Sequence, residues 1–126
     1  MPSVRLSRLA GSYAVSRLEP GAAIPGWADG TGFVSISRSS EELSIVCPAD
    51  RVPAYIRQDA DWACYRFVGP FAFDETGIVS SVIGPLSDAG IGIFVVSTFD
   101  GDHMLLKQAD LPRAEAILLA SGHILL

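Results

Sequence analysis

Lysine is almost absent from this chain. Lys107 is the only one among nine basic residues, and the eight arginines are scattered along 126 positions. Binding to a phosphate backbone draws on a concentrated basic face. That scatter, with a net charge of −5, argues against a nucleic-acid partner. No run of eighteen apolar residues occurs, which excludes a membrane-spanning helix. In the opening MPSVRLSRLAGSYAV, arginines interrupt the apolar residues, so the continuous core of a secretory signal is missing and a cytosolic location is expected. Histidine occurs twice, at His103 and His123, with no metal-ligand spacing or nucleophile-elbow motif around either. Gly30-x-Gly32 lacks the remainder of a dinucleotide fingerprint. No catalytic residue, metal or cofactor is therefore expected. Cys47 and Cys64 each fall within an apolar, strand-like run and read as small buried hydrophobes, although a disulfide between them stays open.

What is present is a core. Hydrophobic residues make up 49% of the chain and charged residues 18%, a balance that offsets ordering entropy by burial. The length suits one compact domain. Tyr13 to Leu18 alternates as a strand, and Pro25 leaves room for only a turn or two of helix before Trp27. Phe33 to Ser37 and Leu43 to Cys47 read as a hairpin joined by a polar connection. A brief helix is expected after Asp50, then a strand from Trp62 to Val68. Further on, Ile78, Val79, Val82, Ile83 and Leu86 recur at helical spacing, which predicts a helix from Glu75 to Ala89. Asp74 or Thr76 is placed to cap it, Gly90 to stop it, and Pro85 to bend its last turn. Ile91 to Ser97 and His103 to Lys107 form a second hairpin across Asp100-Gly101. The first of these strands, almost fully apolar, is expected to be buried on both faces. Asp110 would cap a final helix with Pro112 in its first turn, and His123 to Leu126 would add an edge strand.

The two halves overlay at an offset of 60. Gly30 falls on Gly90, Gly32 on Gly92, Ser37 on Ser97, Ala49 on Ala109 and Asp50 on Asp110. Five identities exceed the roughly one or two that composition alone gives in such a window. Each half then reads β-α-β-β-α, with the first half's helices abbreviated. The expected class is α+β and ferredoxin-like: two such halves with antiparallel sheets, residues 1–60 and 61–126, with Phe33 to Ser37 and Phe94 to Ser97 in corresponding central strands.

The stretch GPFAFDETGIVSSVIGPLSDAGIGIFVVSTFDGDHMLLKQADLPRA resembles an ACT domain, the small regulatory fold attached to many enzymes of amino-acid metabolism. The likeness covers about fifty residues after Gly69, and Glu42 to Val46 supports it in the first half. The order of elements is similar to the ACT pairs of aspartate kinases and of CASTOR-type arginine sensors. The resemblance implies a regulatory or sensor module that binds an amino acid at the first loop, at an interface between two ACT units. It also implies self-association, with a homodimer the expected form, and leaves the regulated partner unnamed.

Physical chemistry gives that implication a set of residues. An amino acid needs an anion site and a cation site a few ångströms apart. The start of the predicted helix offers backbone N–H groups from Thr76, Gly77, Ile78 and Val79, together with the positive end of the helix dipole. Asp74, Glu75 and Asp102 can receive an ammonium or guanidinium group. Thr98, Phe99 and Asp102 match, by the Ser-Thr-Phe-x-x-Asp spacing, positions that the arginine sensors use. The plainer roles stand beside these: Asp74 and Glu75 as helix caps, Asp102 as a solvated turn residue, Phe99 as core. Two other functions stay open, a non-catalytic dimerisation or interaction module and a small enzyme acting on an amino-acid-like substrate.

Overall fold

A computed structural model describes residues 3–69, 71 and 76–126. The chain divides into two units: residues 10–62, and residues 1–9 together with 63–126. The strands are β1 (Arg5–Arg8), β2 (Tyr13–Leu18), β3 (Ser35–Arg38), β4 (Leu43–Pro48), β5 (Gln58–Phe67), β6 (Ile93–Ser97), β7 (Asp102–Lys107) and β8 (Ile124–Leu125). The helices are α1 (Ile78–Asp88) and α2 (Leu111–Ala120). The α+β class and ferredoxin-like arrangement expected from the sequence are those observed. Among the described residues no helix is long and apolar enough to cross a membrane.

In the unit of residues 10–62 the strand order is β3-β4-β2-β5, all antiparallel, with only the first residues of β5 taking part. A short 3-10 turn, Gly26–Ala28, stands where the repeat has α1, and a second, Ala49–Arg51, comes just before the place of α2. Alternate side chains along a strand share a face. Leu43, Ile45 and Cys47 therefore project together, and they pack with Ala28, Leu18, Trp27 and Val34 into a small core. One extra residue enters β5 where Tyr13 pairs with Trp62 and Val15 with Asp59. This bulge carries the one non-glycine residue with positive φ among the described residues, Asp61 at 66°.

The other unit has the order β6-β7-β5-β1-β8. β1 with β5 and β6 with β7 are antiparallel, whereas β1 and β8 run parallel, so this sheet is mixed. Both helices pack on a larger core that includes Leu6, Tyr65, Phe67, Val82, Leu86, Met104, Leu106 and Leu118. β6 lies at the edge, bonded among the described residues only to β7, with Ile93 to Val96 half-buried and Ser97 exposed. That corrects the expectation of a strand covered on both faces: its apolar run is longer than the surface that covers it. β3 is likewise an edge strand of its unit, so the corresponding strands of the repeat are marginal and not central.

The register of the repeat also needs correction. Arg38 pairs with Leu43 and Ser97 with Asp102, each pair closing a four-residue connection. Ser97 stands 59 residues after Arg38, and Asp102 59 after Leu43. The 3-10 turns Ala49–Arg51 and Gln108–Asp110 keep the same offset. An offset of 60 is one residue out, and in a strand one residue exchanges the faces.

Candidate functional site

The β6–β7 turn is tightly made. The Thr98 amide and hydroxyl both donate to the Gly101 carbonyl, at 2.7 and 2.9 Å. The Ser97 hydroxyl donates to Asp102 Oδ1 at 2.5 Å, which fixes that carboxylate at the base of the turn. Asp102 is half-buried, whereas Phe99 at the tip is 77% exposed. Near this turn α1 begins. Its N-cap, Gly77, takes a left-handed conformation, with φ of 80°, that a residue bearing Cβ adopts only at a cost. The Ser81 amide donates to the Gly77 carbonyl at 2.9 Å and closes the first helical turn.

A cavity of about 350 Å³ lies between the helix start and the turn. It brings together Gly77, Ile78 and Val79 with Thr98, Phe99 and Asp102, six of the nine residues singled out from the sequence. Thr76 is exposed and does not line it. Asp74 and Glu75 lie outside the described residues. Ser80, Ser97, Gly101 and Phe71 also line the cavity, and sequence reasoning missed them. The signal that could have found Ser80 was Gly77. A left-handed glycine ends the loop and starts the helix, so the first-turn N–H groups run through Ser80 instead of starting at Thr76. Among the described lining residues the only charged group is Asp102. The cavity therefore pairs a carboxylate on one wall with the positive end of a helix on the other.

A second cavity, of about 450 Å³, shares Thr98, Gly101 and Asp102 and adds Arg66, Phe67, Gly69, Asp100 and His103. Burial holds the His103 imidazole below its usual pKa. The Arg66 guanidinium pushes it the same way, and Asp102 opposes both. Nothing in the spacing of Arg66 and His103 joins them; the pairing of β5 with β7 does. In the other unit, the hairpin equivalent to Thr98–Asp100 is committed to local structure. Arg38 donates to the carbonyls of Pro20 and Ala22, and the Ser39 hydroxyl accepts from the amides of Glu41 and Glu42. Cys47 and Cys64 are both free and buried, and burial raises both thiols, that of Cys64 to about 12. Among the described residues no group of three or more His, Cys, Asp or Glu side chains is placed to hold a metal ion.

Helices packed on one face of the sheet, a left-handed glycine opening the first of them and a Ser-Thr-Phe turn facing it define an ACT unit. The ACT-domain profile matches residues 58–120, half of the chain, and the chain belongs to the ACT domain family. A separate profile, that of an N-terminal domain, matches residues 11–55. The chain is 44% identical over 48 residues to the human cytosolic arginine sensor for mTORC1 subunit 1, a match that covers 37% of this chain and 15% of the sensor. It thus spans only a small part of the length of the curated relatives it matches. A crystal structure of protein Atu0741 from Agobacterium tumefaciens is 59% identical, with a TM-score of 0.96, covering all of this chain and 94% of the other. The aspartate kinase of Clostridium acetobutylicum shares the fold at 12% identity and a TM-score of 0.66, covering 94% of this chain and 34% of the enzyme.

Proposed function

We propose that the chain is a cytosolic sensor or regulatory module that binds a free amino acid in the cavity between α1 and the β6–β7 turn. One observation carries this reading: the approximately 350 Å³ cavity sets Gly77, Ile78 and Val79 opposite Thr98 and Asp102. The ligand carboxylate sits on the N–H groups of the helix start, where unpaired donors and the helix dipole favour an anion. Its ammonium, or a guanidinium side chain, meets Asp102, which Ser97 already holds in place. The similarity to an arginine sensor makes L-arginine the first ligand to try. The reading is of a binder without catalytic chemistry, whose effect passes to a regulated protein.

Calorimetric titration with L-arginine and then the other amino acids tests it. Asp102→Asn should weaken binding by about 1.5–3 kcal/mol, the range for a hydrogen bond to a charged group, with the melting curve almost unmoved. Gly77→Asp should abolish binding, because it sets an anion where the ligand carboxylate must lie. Unchanged affinity in both variants would move the site elsewhere. A second reading, self-association as a homodimer, is favoured by the open β6 edge and exposed Phe99. Light scattering that gives a monomer's mass at high micromolar concentration would count against it.

A further inference from the structure

Pro85 lies inside α1. A proline there supplies no amide to the carbonyl four residues earlier, which is that of Ser81. Ser81 is 2% exposed, so water does not readily replace the missing donor. The replacement comes from beyond α2. His123 Nε2 lies 2.8 Å from the Ser81 carbonyl oxygen. The other ring nitrogen, Nδ1, accepts the Val4 amide at 3.1 Å, so Nε2 carries the hydrogen and donates. His123 is itself 4% exposed and joins the chain just before β1 to the middle of α1.

Ser81 passes that restraint to the helix start. Its hydroxyl donates to the Ile78 carbonyl at 2.7 Å and its amide to the Gly77 carbonyl at 2.9 Å. Gly77 and Ile78 are walls of the cavity described above. We infer that His123 is a positioning residue for that cavity: acting through Ser81, it supplies the donor that Pro85 withholds and so holds the first turn of α1 in its ligand-binding geometry. Calling the cavity a ligand site rests on the proposed function, whereas the hold on the helix does not. The side chain must donate to Ser81 on one side and accept from Val4 on the other. An apolar residue of the same size can do neither.

A double-mutant cycle tests this, because Pro85→Ala returns the missing amide to the Ser81 carbonyl. His123→Phe keeps the volume and removes both nitrogens, and His123→Ala serves as a second variant should the first fold poorly. We expect His123→Phe to speed hydrogen exchange of the Ser81 amide by about tenfold and to weaken L-arginine binding by a similar factor. In the double variant both should return close to the parent values, while Pro85→Ala alone changes them little. Additive effects, or unchanged exchange at Ser81 in His123→Phe, would overturn the inference. If the unmodified chain takes up neither L-arginine nor any other amino acid, the ligand reading fails. The exchange arm still decides the role of His123, for or against, by the presence or absence of rescue.

Discussion

β4 and β7 occupy the same place in their two units, each flanked by an edge strand, β3 or β6, and on the other side by β2 or β5. Both contribute buried residues to a core, Ile45 and Cys47 in one and Met104 and Leu106 in the other. What packs against them differs. In residues 63–126 two helices cover the sheet, whereas in residues 10–62 3-10 turns, loops and Trp27 do so. The comparison teaches that strand order can persist through a repeat while the layer over it is replaced. It also separates the candidate site from its counterpart. A helix start supplies unpaired N–H groups in one unit, and the other has no α-helix among its described residues to supply them.

The sharpest way to break this comparison is to attack the helical layer alone. Leu86 is fully buried between α1 and the sheet, and Leu86→Ala should cost about 2–5 kcal/mol in chemical denaturation. Hydrogen exchange should quicken first in α1 and α2. Equal acceleration in β2–β4 would show that the two units unfold as one.

A smaller effect is expected from two glycines that the 60-residue offset matched and the 59-residue register separates. Gly32 has φ of 86°, and a Cβ there would come within 2.8 Å of Tyr13 Oη, which accepts the Phe33 amide at 2.9 Å. Gly92 meets nothing within 4 Å and has no positive φ. Gly32→Ala should therefore destabilise by about 1–3 kcal/mol through backbone and contact strain. Gly92→Ala should be neutral or stabilise by up to about 1 kcal/mol. Melting temperatures of the two variants check the pair, and equal shifts would restore their equivalence.

The smallest effect is the pH response of His103, which has no counterpart in the first unit, where Ser44 holds the corresponding position of β4. Its folded pKa is lowered by burial and by Arg66. The unfolded chain therefore binds the proton more readily, and stability falls as pH drops below about 6.5 toward the folded value. His103→Gln should flatten that part of the melting-temperature profile. A profile unchanged by the substitution would assign the acid sensitivity elsewhere.

Legibility in the sequence followed local signal strength. β2 was legible to the residue because the turn signal Glu19-Pro20-Gly21 ends it, although its buried residues, Tyr13, Ala14 and Ser16, do not alternate cleanly. α1 was legible in its body but not at its start, where Gly77 governs. β1 was missed: Arg5-Leu6-Ser7-Arg8 offers only Leu6 to a core, and partners on both sides, β5 and β8, make it a strand. The first residues of β5, Gln58-Asp59-Ala60-Asp61, are too polar to announce themselves and pair through the bulge. Asp110 precedes α2 as expected, yet its side chain makes no cap bond. The residues of the cavity on α1 and the turn were legible by motif. Arg66 and His103 were not, because they meet across paired strands.

Periodicity, glycines and prolines by themselves determined the kinds of element and the α+β class, since these depend on preferences that act within a few positions along the chain, whereas Thr98, Phe99 and Asp102 were singled out by the resemblance to the ACT family. Tertiary structure alone decided the register of the repeat. Gly90 ends α1 with φ of 77°, while Gly30 and Gly32 shape a loop beside Arg51 and Tyr13, so aligned letters serve unlike ends. Pairing across β3–β4 and β6–β7 sets the true offset, because backbone hydrogen bonds and the choice of buried face answer to the opposite strand and not to identity along the chain. The same holds for His123: its value lies in a carbonyl that Pro85, 38 residues earlier, leaves without a donor, and only folding brings the two together.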